Sequence, residues 1–404
     1  MTTFSDPPKE SFRPSMLLSD TRYRSITFQV IALALLVTAI WYLGSNLAAN
    51  LRAAGLNISF QFLGNPAGYD INQTLIPYTS QSSNLQAAWV GIINTLLVSF
   101  LACVTATIFG VVAGVLRLSN NWLIRKLMAG YVEIFRNIPV LIWILIIYTI
   151  MTAAMPAPSA FRGDDPASSM MLGSFAFTNR GVYIPGPVWG PGSMIVVATF
   201  VASVIGVFAY RRYATKLLYD TGRLLPMLWP SVAILLLPTI IMFFIMGMPI
   251  GLDYPALKGF NFRGGIQIGA PLIALWFALS IYTGAFIAEN VRAGIQAVSK
   301  GQSEAAAALG LRSGRIMNLV VLPQALRVII PPLISNYLNI TKNSSLAILV
   351  GYADITATLG GITLNQTGRA IECVVLLMLF YLVISLGISM VMNVYNNATK
   401  LKER

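Results

Sequence analysis

The chain has 404 residues, of which 56% are hydrophobic and only 10% are charged, and its formal net charge is +13. A soluble fold of this composition would expose far too much apolar surface to water, so the composition excludes a soluble globular protein. Because the chain contains no histidine, general-base catalysis by imidazole and metal ligation by histidine are excluded as well.

Eight apolar runs approach the ~20 residues that an α-helix needs to cross a hydrocarbon layer of about 30 Å. In chain order they lie at Ile26–Leu47, Trp89–Leu116, Ile138–Ala154, Ser193–Tyr210, Leu228–Gly247, Ala270–Ala288, Val328–Val350 and Ile371–Tyr395. Because the runs are continuous rather than alternating, a transmembrane β-barrel is excluded. The sequence predicts an all-α, polytopic membrane protein with about eight transmembrane helices.

The basic residues indicate the orientation, because they are retained on the cytoplasmic side of inserted helices. With the amino terminus inside, most of the 27 Lys and Arg residues fall in cytosolic segments. Both termini are therefore expected in the cytoplasm, together with the connection between the sixth and seventh spans. The net positive charge then reflects topology and attraction to anionic membrane lipids, and we expect no nucleic-acid partner.

The first span follows basic residues, as the apolar region of a secretory signal does. Its apolar run is long for a signal and no small-residue cleavage site stands out after it, so we expect a retained anchor. The two cysteines, Cys103 and Cys373, lie in apolar spans, where a small buried side chain is the expected role. Neither a disulfide framework nor a metal site is predicted.

Polar residues inside a membrane are costly unless they are paired, so each is a candidate for function. Lys342 interrupts the seventh span, and its ammonium would suit the carboxylate of a solute; pairing with a neighbouring oxygen is the alternative. Other candidates for a translocation pathway, with helix-to-helix hydrogen bonding as the alternative for the first four, are Asn94, Thr95, Ser280, Thr283, Thr341, Asn343 and Ser344.

Two acid–base pairs stand three residues apart near cytosolic helix ends. Glu289 with Arg292, and Glu133 with Arg136, are expected to pair locally on the helix surface. Their position beside the cytosolic loops leaves a secondary gating role open. Glu372, at the outer start of the last span, is a weaker candidate for the pathway.

The connection between the sixth and seventh spans predicts a helix, a turn and a second helix on the membrane surface. Ser299 and Gln302 fit a capping box that begins the first helix. Gly310 is expected to end it in the left-handed conformation, and Pro323 to mark the entry to the next helix. Such a thin, alanine-rich helix can be approached closely by another protein.

This connection resembles the EAA loop of the permease subunits of bacterial ATP-driven (ABC) importers. The pattern of that loop is EAA, three residues, Gly, nine residues and I-x-L-P, and here Val320 stands at the isoleucine. The resemblance implies that the loop docks on the ATP-hydrolysing subunit and transmits its motion. The implied coupling residues are Glu304, Ala305, Ala306, Gly310, Leu322 and Pro323.

Further tracts resemble the permeases of polar amino-acid importers. They are Tyr131–Pro139, Tyr282–Ile295 and the span that contains Gly91, Asn94 and Thr95. The resemblance covers about 85–150 and 265–399 and implies a five-helix core of the type I importer fold. The remaining helices make the plan similar to that of general L-amino-acid permease subunits.

The predicted organisation follows from these two regions. It comprises a cytosolic tail (1–25), an extra anchor helix with an external segment (26–84), the first part of the core (85–150), an external loop with two extra helices (151–264), the second part of the core (265–399) with its EAA-like loop (290–325), and a cytosolic tail (400–404). The external loop after Met155 is rich in Gly and Pro and is expected to be irregular. It offers a docking surface for a solute-delivering protein, with a simple linker as the alternative.

The chain contains no G-x-x-x-x-G-K-[ST] phosphate-binding loop, and its cytosolic loops are too short for a nucleotide-binding domain. We therefore expect no cofactor on this chain and no enzymatic activity, with ATP and Mg bound by a partner. The resemblance implies as partners cytosolic ABC ATPase subunits, a second permease that forms a heterodimer, and a periplasmic amino-acid-binding protein. It also implies the bacterial inner membrane and import of amino acids by alternating access.

Two other classes of function remain open at this point. An ion-coupled secondary transporter or channel for small polar solutes would be expected to show inverted repeats or dense intramembrane carboxylates. A membrane-embedded enzyme would need a nucleophile, a metal or an acid–base pair at depth. Neither set of features is visible in the sequence.

Overall fold

The computed structural model describes residues 18, 21–53, 55, 57–163, 166–223 and 225–399. Most of the two predicted cytosolic tails, including 1–17 and 400–404, therefore lies outside the described residues. The chain divides into a unit of residues 1–61 and a unit of residues 62–404. Within the described residues, seven helices are long and apolar enough to cross a membrane, or eight if one bent pair forms a single span. The prediction of about eight transmembrane helices is confirmed.

The first unit contains one long helix, α1, at Thr21–Ala53. Its large apolar side chains are exposed along its whole length; Trp41, for example, is 76% exposed. A helix that is apolar all round suits a hydrocarbon surrounding.

The second unit begins its bundle with α2 at Asn84–Leu116, α3 at Trp122–Asn137 and α4 at Val140–Thr149. Ser83 begins α2 by accepting a hydrogen bond from the amide of Gln86 at 3.2 Å. Pro139 separates α3 from α4, and the two helices meet at a bend of 104°. The predicted span Ile138–Ala154 is therefore the second arm of a bent pair, and a turn of π-helix, Ile150–Ala154, ends it.

The bundle continues with α7 at Ala270–Gln296, which packs along α2. Gly110 and Gly114, four residues apart on α2, allow this close approach. A Cβ on Gly110 would lie 2.5 Å from the side chain of Ile287, and one on Gly114 would lie 2.7 Å from the carbonyl oxygen of Ala288. Close contact through small residues is a common way to pack helices in a membrane.

Between α4 and α7 the chain forms an insert with two helices, α5 at Ser193–Thr221 and α6 at Leu228–Ile245. These helices pack against each other. Short strands flank them at β1, Ala176–Thr178; β2, Gly181–Ile184; β3, Gly186–Trp189; β4, Ile250–Asp253; β5, Ala256–Lys258; β6, Asn261–Arg263; and β7, Ile266–Gly269.

The strands of the insert form three small antiparallel sheets in the described part of the chain, in the orders β1-β2-β7, β3-β4 and β5-β6. Pairing of β3 with β4 closes the base of the α5–α6 hairpin, and pairing of Gly181 with Gly269 returns the chain to the start of α7. Buried Tyr183 and Phe262 form a local core. The prediction of an irregular segment after Met155 is therefore wrong, because this segment contains β1, β2 and β3. The strands are short, and β2 and β3 pair with strands that are distant in sequence.

The last part of the bundle follows α7 through α8 at Lys300–Ala308 and α9 at Ser313–Ile316 to α10 at Leu322–Asn343. The α-helix then changes to a 3-10 helix, Ser344–Val350, which ends at Gly351 with φ of 74°. A π-helical stretch, Thr356–Thr363, leads through α11 at Leu364–Thr367 to α12 at Ala370–Thr399. The predicted polar interruption of the seventh span thus coincides with a change of helix type.

Candidate functional site

The elbow, which we define as residues 299–323, joins α7 to α10. Ser299 occupies the N-cap of α8 with extended backbone, as predicted, but its side chain makes no capping hydrogen bond. The capping-box prediction is wrong in this respect. The amide of Gln302 donates to the backbone carbonyl of Ser299 at 3.1 Å instead.

Gly310 ends α8 as predicted, in the left-handed conformation with φ of 78°. The amide of Gly310 donates to the carbonyl of Ala307 at 2.9 Å, and the amide of Leu311 donates to the carbonyl of Ala306 at 3.3 Å. These two bonds form the Schellman motif, which satisfies the last carbonyls of a helix and turns the chain sharply. Because glycine has no Cβ, it adopts this conformation without steric strain, and Gly310 therefore favours a turn at this position.

A small apolar cluster holds the elbow in shape. Buried Ala306, Ile316 and Val321 pack together, and Leu311 and Val320 lie against them. A π-helical turn, Met317–Val321, follows α9 and leads into α10 at Leu322. The side chain of the predicted coupling residue Ala306 is therefore buried within the elbow.

The other predicted coupling residues lie at the surface. Glu304, Ala305 and Gly310 are exposed, Leu322 is exposed at the first position of α10, and Pro323 follows it in the first turn. Sequence reasoning missed Leu309, which is 83% exposed at the tip of the elbow. The signal for it was a leucine directly before the helix-ending glycine, where the turn leaves an apolar side chain without a core to enter.

An ionic network lies between the helix ends beside the elbow. Arg117, at the C-cap of α2, pairs with Glu289 of α7, and Arg292 pairs with the same carboxylate at 3.0 Å. The predicted Glu289–Arg292 pair is confirmed, while its bond to Arg117 was not predicted. Because Glu289 and Arg292 are close to the end of α7, the network connects that end to α2.

The predicted pair of Glu133 and Arg136 does not form. The carboxylate of Glu133 accepts a hydrogen bond from the side-chain amide of Asn137 at 3.3 Å, and the guanidinium of Arg136 lies over the ring of Phe286 at 5.2 Å. Contact with an aromatic face on α7 draws the arginine away from its own helix. This prediction is corrected.

Asn94 and Thr95 are buried in α2 and join it to distant segments. The amide nitrogen of Asn94 donates to the carbonyls of Gln73 at 3.0 Å and Ala353 at 2.9 Å. The hydroxyl of Thr95 donates to the carbonyl of Gly91 at 2.8 Å and accepts from the amide of Ile355 at 3.1 Å. These hydrogen bonds fit the alternative to a pathway role, in which the two side chains bond to other parts of the protein.

Ser280 and Thr283 are buried in α7. The hydroxyl of Ser280 shares a hydrogen bond with that of Thr105 on α2 and donates to the carbonyl of Trp276 at 2.6 Å. The indole nitrogen of Trp276 donates to Thr105 at 3.1 Å. Ser280 therefore also joins two helices of the bundle.

The polar stretch at the end of α10 presents its residues to different surroundings. Thr341 and Ser344 are buried; the first donates to the carbonyl of Tyr337 at 3.1 Å and the second to that of Thr341 at 2.7 Å. Asn343 is half-buried, whereas Lys342 is exposed at the surface of the chain. Of the four, Lys342 is the one whose side chain is exposed at the surface of this chain.

Asp354 is a buried carboxylic acid that sequence reasoning missed. It is fully buried between α2 and α12, in the segment between the last two spans. Burial raises the pKa of its carboxyl to about 7, although hydrogen bonds from Ala357 and Thr356 partly offset the effect. The amide of Ala357 donates to its Oδ1 at 2.8 Å. Glu372, the other acid at this end, is buried and pairs with Arg369 at 3.4 Å.

Comparison with known proteins gives one family. Residues 194–400 match the family described as "Binding-protein-dependent transport system inner membrane component". The chain is 50% identical to the glutamate/glutamine/aspartate/asparagine transport system permease protein BztB of Rhodobacter capsulatus, over 100% of both chains.

Two further relatives match over almost their whole length. The chain is 42% identical to the general L-amino acid transport system permease protein AapQ of Rhizobium johnstonii, over 98% of this chain and 96% of the relative. It is also 42% identical to the putative amino-acid ABC transporter permease protein YhdX of Escherichia coli, over 98% of this chain and 99% of the relative.

Proposed function

This chain belongs to the family of inner-membrane permease subunits of binding-protein-dependent transport systems, and from this premise we propose that it forms the membrane pathway for amino acids in an importer driven by ATP hydrolysis on a separate subunit. The names of the relatives support amino acids as the substrate class, because one covers glutamate, glutamine, aspartate and asparagine and another covers L-amino acids in general. ATP and Mg bind to the ATPase partner, and this chain performs no covalent chemistry.

The elbow is the observation that supports coupling to an ATPase. Its Schellman turn and its apolar cluster make it a compact body at the junction of α7 and α10. Its surface presents Glu304, Ala305 and Leu309, with an exposed apolar tip beside a thin alanine face. Removing an exposed leucine side chain from water against a partner protein is favourable and would stabilise the complex. We propose that the elbow inserts into a cleft of the ATPase subunit.

The orientation completes the placement of the partners. We propose that both termini and the elbow lie in the cytoplasm, because most of the basic residues flank the spans on that side. The β-stranded insert, at the opposite end of α7, then faces the periplasm. It offers the surface on which a periplasmic amino-acid-binding protein would dock and release its ligand.

The exposure of Lys342 supports the presence of a second permease subunit. Its side chain is exposed although it lies inside an apolar span, and no ion pair involves it within the described part of the chain. A lysine facing lipid in the middle of a membrane is costly, whereas one facing a water-filled path is tolerated. We propose that Lys342 faces a pathway formed between this chain and a second permease, in a heterodimer.

The test is uptake by the reconstituted complex with Gly310→Val, using Gly314→Val as the matched control. Both glycines are exposed in the elbow and have open space around them, but only Gly310 has a positive φ. A β-branched side chain is strained in that conformation. We expect Gly310→Val to insert normally and to abolish ATP-dependent uptake, while Gly314→Val retains it. Normal uptake by Gly310→Val, or uptake by the isolated chain along an ion gradient, would contradict the proposal.

A further inference from the structure

A polar cavity of about 390 Å³ lies where the β-stranded insert meets the start of α7. The elbow follows the other end of α7, and at 1.5 Å per residue this helix separates the two by roughly 40 Å. Polar side chains from three separate parts of the chain line the cavity: Asn72, Gln73, Arg180, Asn261 and Gln267. Its volume lies in the range of ~300–1,000 Å³ that is typical of small-molecule sites.

Two of the amide side chains that line this cavity are oriented by hydrogen bonds. The hydroxyl of Tyr183 donates to Oδ1 of Asn261 at 2.8 Å, and the amide of Gly269 donates to Oε1 of Gln73 at 3.3 Å. Each bond is accepted by a carbonyl oxygen and so orients the amide, whose NH₂ group can still donate to a ligand. The side chains of Gln73 and Asn261 therefore offer hydrogen-bond donors in the cavity.

Arg180 adds a positive charge to these donors. It lies in the turn between β1 and β2, and its backbone is held by the hydroxyl of Thr178 at 3.2 Å and by the amide of Ala270 at 3.3 Å. Its guanidinium donates to the carbonyl of Phe260 at 3.4 Å. Of the described residues that line the cavity, none is acidic. The site has the charge and the donors that a carboxylate requires.

Asn94 holds together two of the segments that line the cavity. Its amide nitrogen bonds at once to the carbonyls of Gln73 and Ala353, which belong to two different lining segments. The hydroxyl of Tyr352 donates to the backbone carbonyl of Asn94 at 3.0 Å. This bond holds the segment that contains Tyr352 and Ala353 against α2. The cavity is thus tied to α2 of the bundle and is not confined to the insert.

We propose that this cavity is a binding site for the carboxylate of an amino acid, in which Arg180 supplies the charge and the amides of Gln73, Asn261 and Gln267 supply further hydrogen bonds. The proposal rests on the proposed function and extends it: the site would hold the solute after its release from the binding protein and before it enters the membrane. Binding would depend on a carboxylate and be tolerant of the rest of the solute.

The test measures retention of radiolabelled L-glutamate by the purified, assembled transporter in the absence of binding protein. We expect Arg180→Gln to weaken retention roughly tenfold, the range in which a charge-assisted hydrogen bond contributes. Arg162→Gln is the matched control, because Arg162 stacks on the ring of the same Phe260 at 5.3 Å but does not line the cavity. Succinate should displace the label, and 1,4-diaminobutane, which has no carboxylate, should not.

A second variant guards against an effect of Arg180→Gln on folding of the insert. Gln267→Glu keeps the shape of the side chain but places a negative charge in the cavity, so it should also weaken retention. Equal retention by wild type, Arg180→Gln and Gln267→Glu would overturn the proposal, as would absence of retention by a wild-type complex that imports glutamate with ATP. Absence of ATP-dependent uptake by the wild-type complex would instead contradict the proposed function, whatever the retention assay shows.

Discussion

Arg117 and Glu289 form an ion pair across 172 residues of sequence, between the end of α2 and the last part of α7. The side chain of Arg117 is only 11% exposed, so its charge depends on this carboxylate for compensation. Because α7 leads into the elbow, the pair connects the elbow's entry to the C-terminal end of α2.

Replacing Glu289 with Gln should destabilise the protein, because it leaves Arg117 partly buried without a counter-charge. The expected loss is about 1–3 kcal/mol in the free energy of unfolding, with a lower melting temperature of the detergent-solubilised complex. Glu133→Gln is the control, since Glu133 is exposed and bonds only within its own helix. Equal melting temperatures for the two variants would contradict a stabilising role for the pair.

The contact between α2 and α7 predicts strong sensitivity at Gly110. A methyl group there would lie 2.5 Å from the side chain of Ile287, so Gly110→Ala should force the helices apart and cost about 1–3 kcal/mol. Gly387→Ala in α12 has open space around its Cβ and should be neutral or slightly stabilising. Thermal unfolding of both variants checks the difference, and a Gly110→Ala protein as stable as Gly387→Ala would show that the helices are packed less closely.

Asp354 predicts a pH-dependent stability. Its carboxyl has a pKa of about 7 in the folded chain against 3.8 for the ordinary group, so between these values the folded state binds more protons than the unfolded state. Stability contributed by this group is therefore lost as the pH rises towards 7. Asn cannot ionise and keeps an oxygen for the amide of Ala357.

The measurement for Asp354 is the melting temperature of wild type and Asp354→Asn from about pH 5 to about pH 8. We expect the variant to gain on the wild type as the pH rises, because only the wild type must bury a charge at high pH. The difference between two proteins removes the contribution of the other titrating groups. A gap that does not change with pH would contradict a buried, protonated Asp354.

Lys342→Met should reduce ATP-dependent amino-acid uptake about tenfold, the effect of losing one ionic contact worth about 1.4 kcal/mol with the solute. Lys342→Arg should retain most of the uptake because it keeps the charge. Lys258→Met, at an exposed position of β5, is the control for loss of a lysine. Full uptake by Lys342→Met with normal expression would place this side chain outside the pathway.

Features of the elbow that depend on neighbouring residues could be predicted from sequence, whereas those that depend on packing between segments could not. Gly310 could be assigned its conformation because a glycine after an alanine-rich helix is a local signal. The burial of Ala306 and the exposure of Leu309 could not be predicted, because they depend on how α9 and the following π-helical turn fold back on α8. Val321, which completes that cluster, is distant in sequence from both Ala306 and Leu309.

Long-range pairings were out of reach for the same reason. The helices were predictable because continuous apolar runs of membrane-spanning length are distinctive. The pairing of β2 with β7 joins short segments on either side of two helices, and neither segment shows an alternating pattern long enough to mark a strand. Likewise, Asn94 was identified as a buried polar residue, but its partners Gln73 and Ala353 are 21 and 259 residues away.

The central claim is that the elbow docks on a nucleotide-hydrolysing partner at the cytoplasmic face. Leu309→Cys and Leu172→Cys provide a matched pair of probes, because both leucines are 83% exposed, one at the tip of the elbow and the other in the insert. A bifunctional thiol–amine reagent applied to membrane vesicles of each orientation tests where each cysteine lies and what it contacts. We expect Leu309→Cys to be cross-linked to an ATPase subunit in inside-out vesicles, and Leu172→Cys to react only from the opposite face without capturing that subunit. Failure of Leu309→Cys to capture an ATPase, or its reaction only from the outer face, would contradict the account.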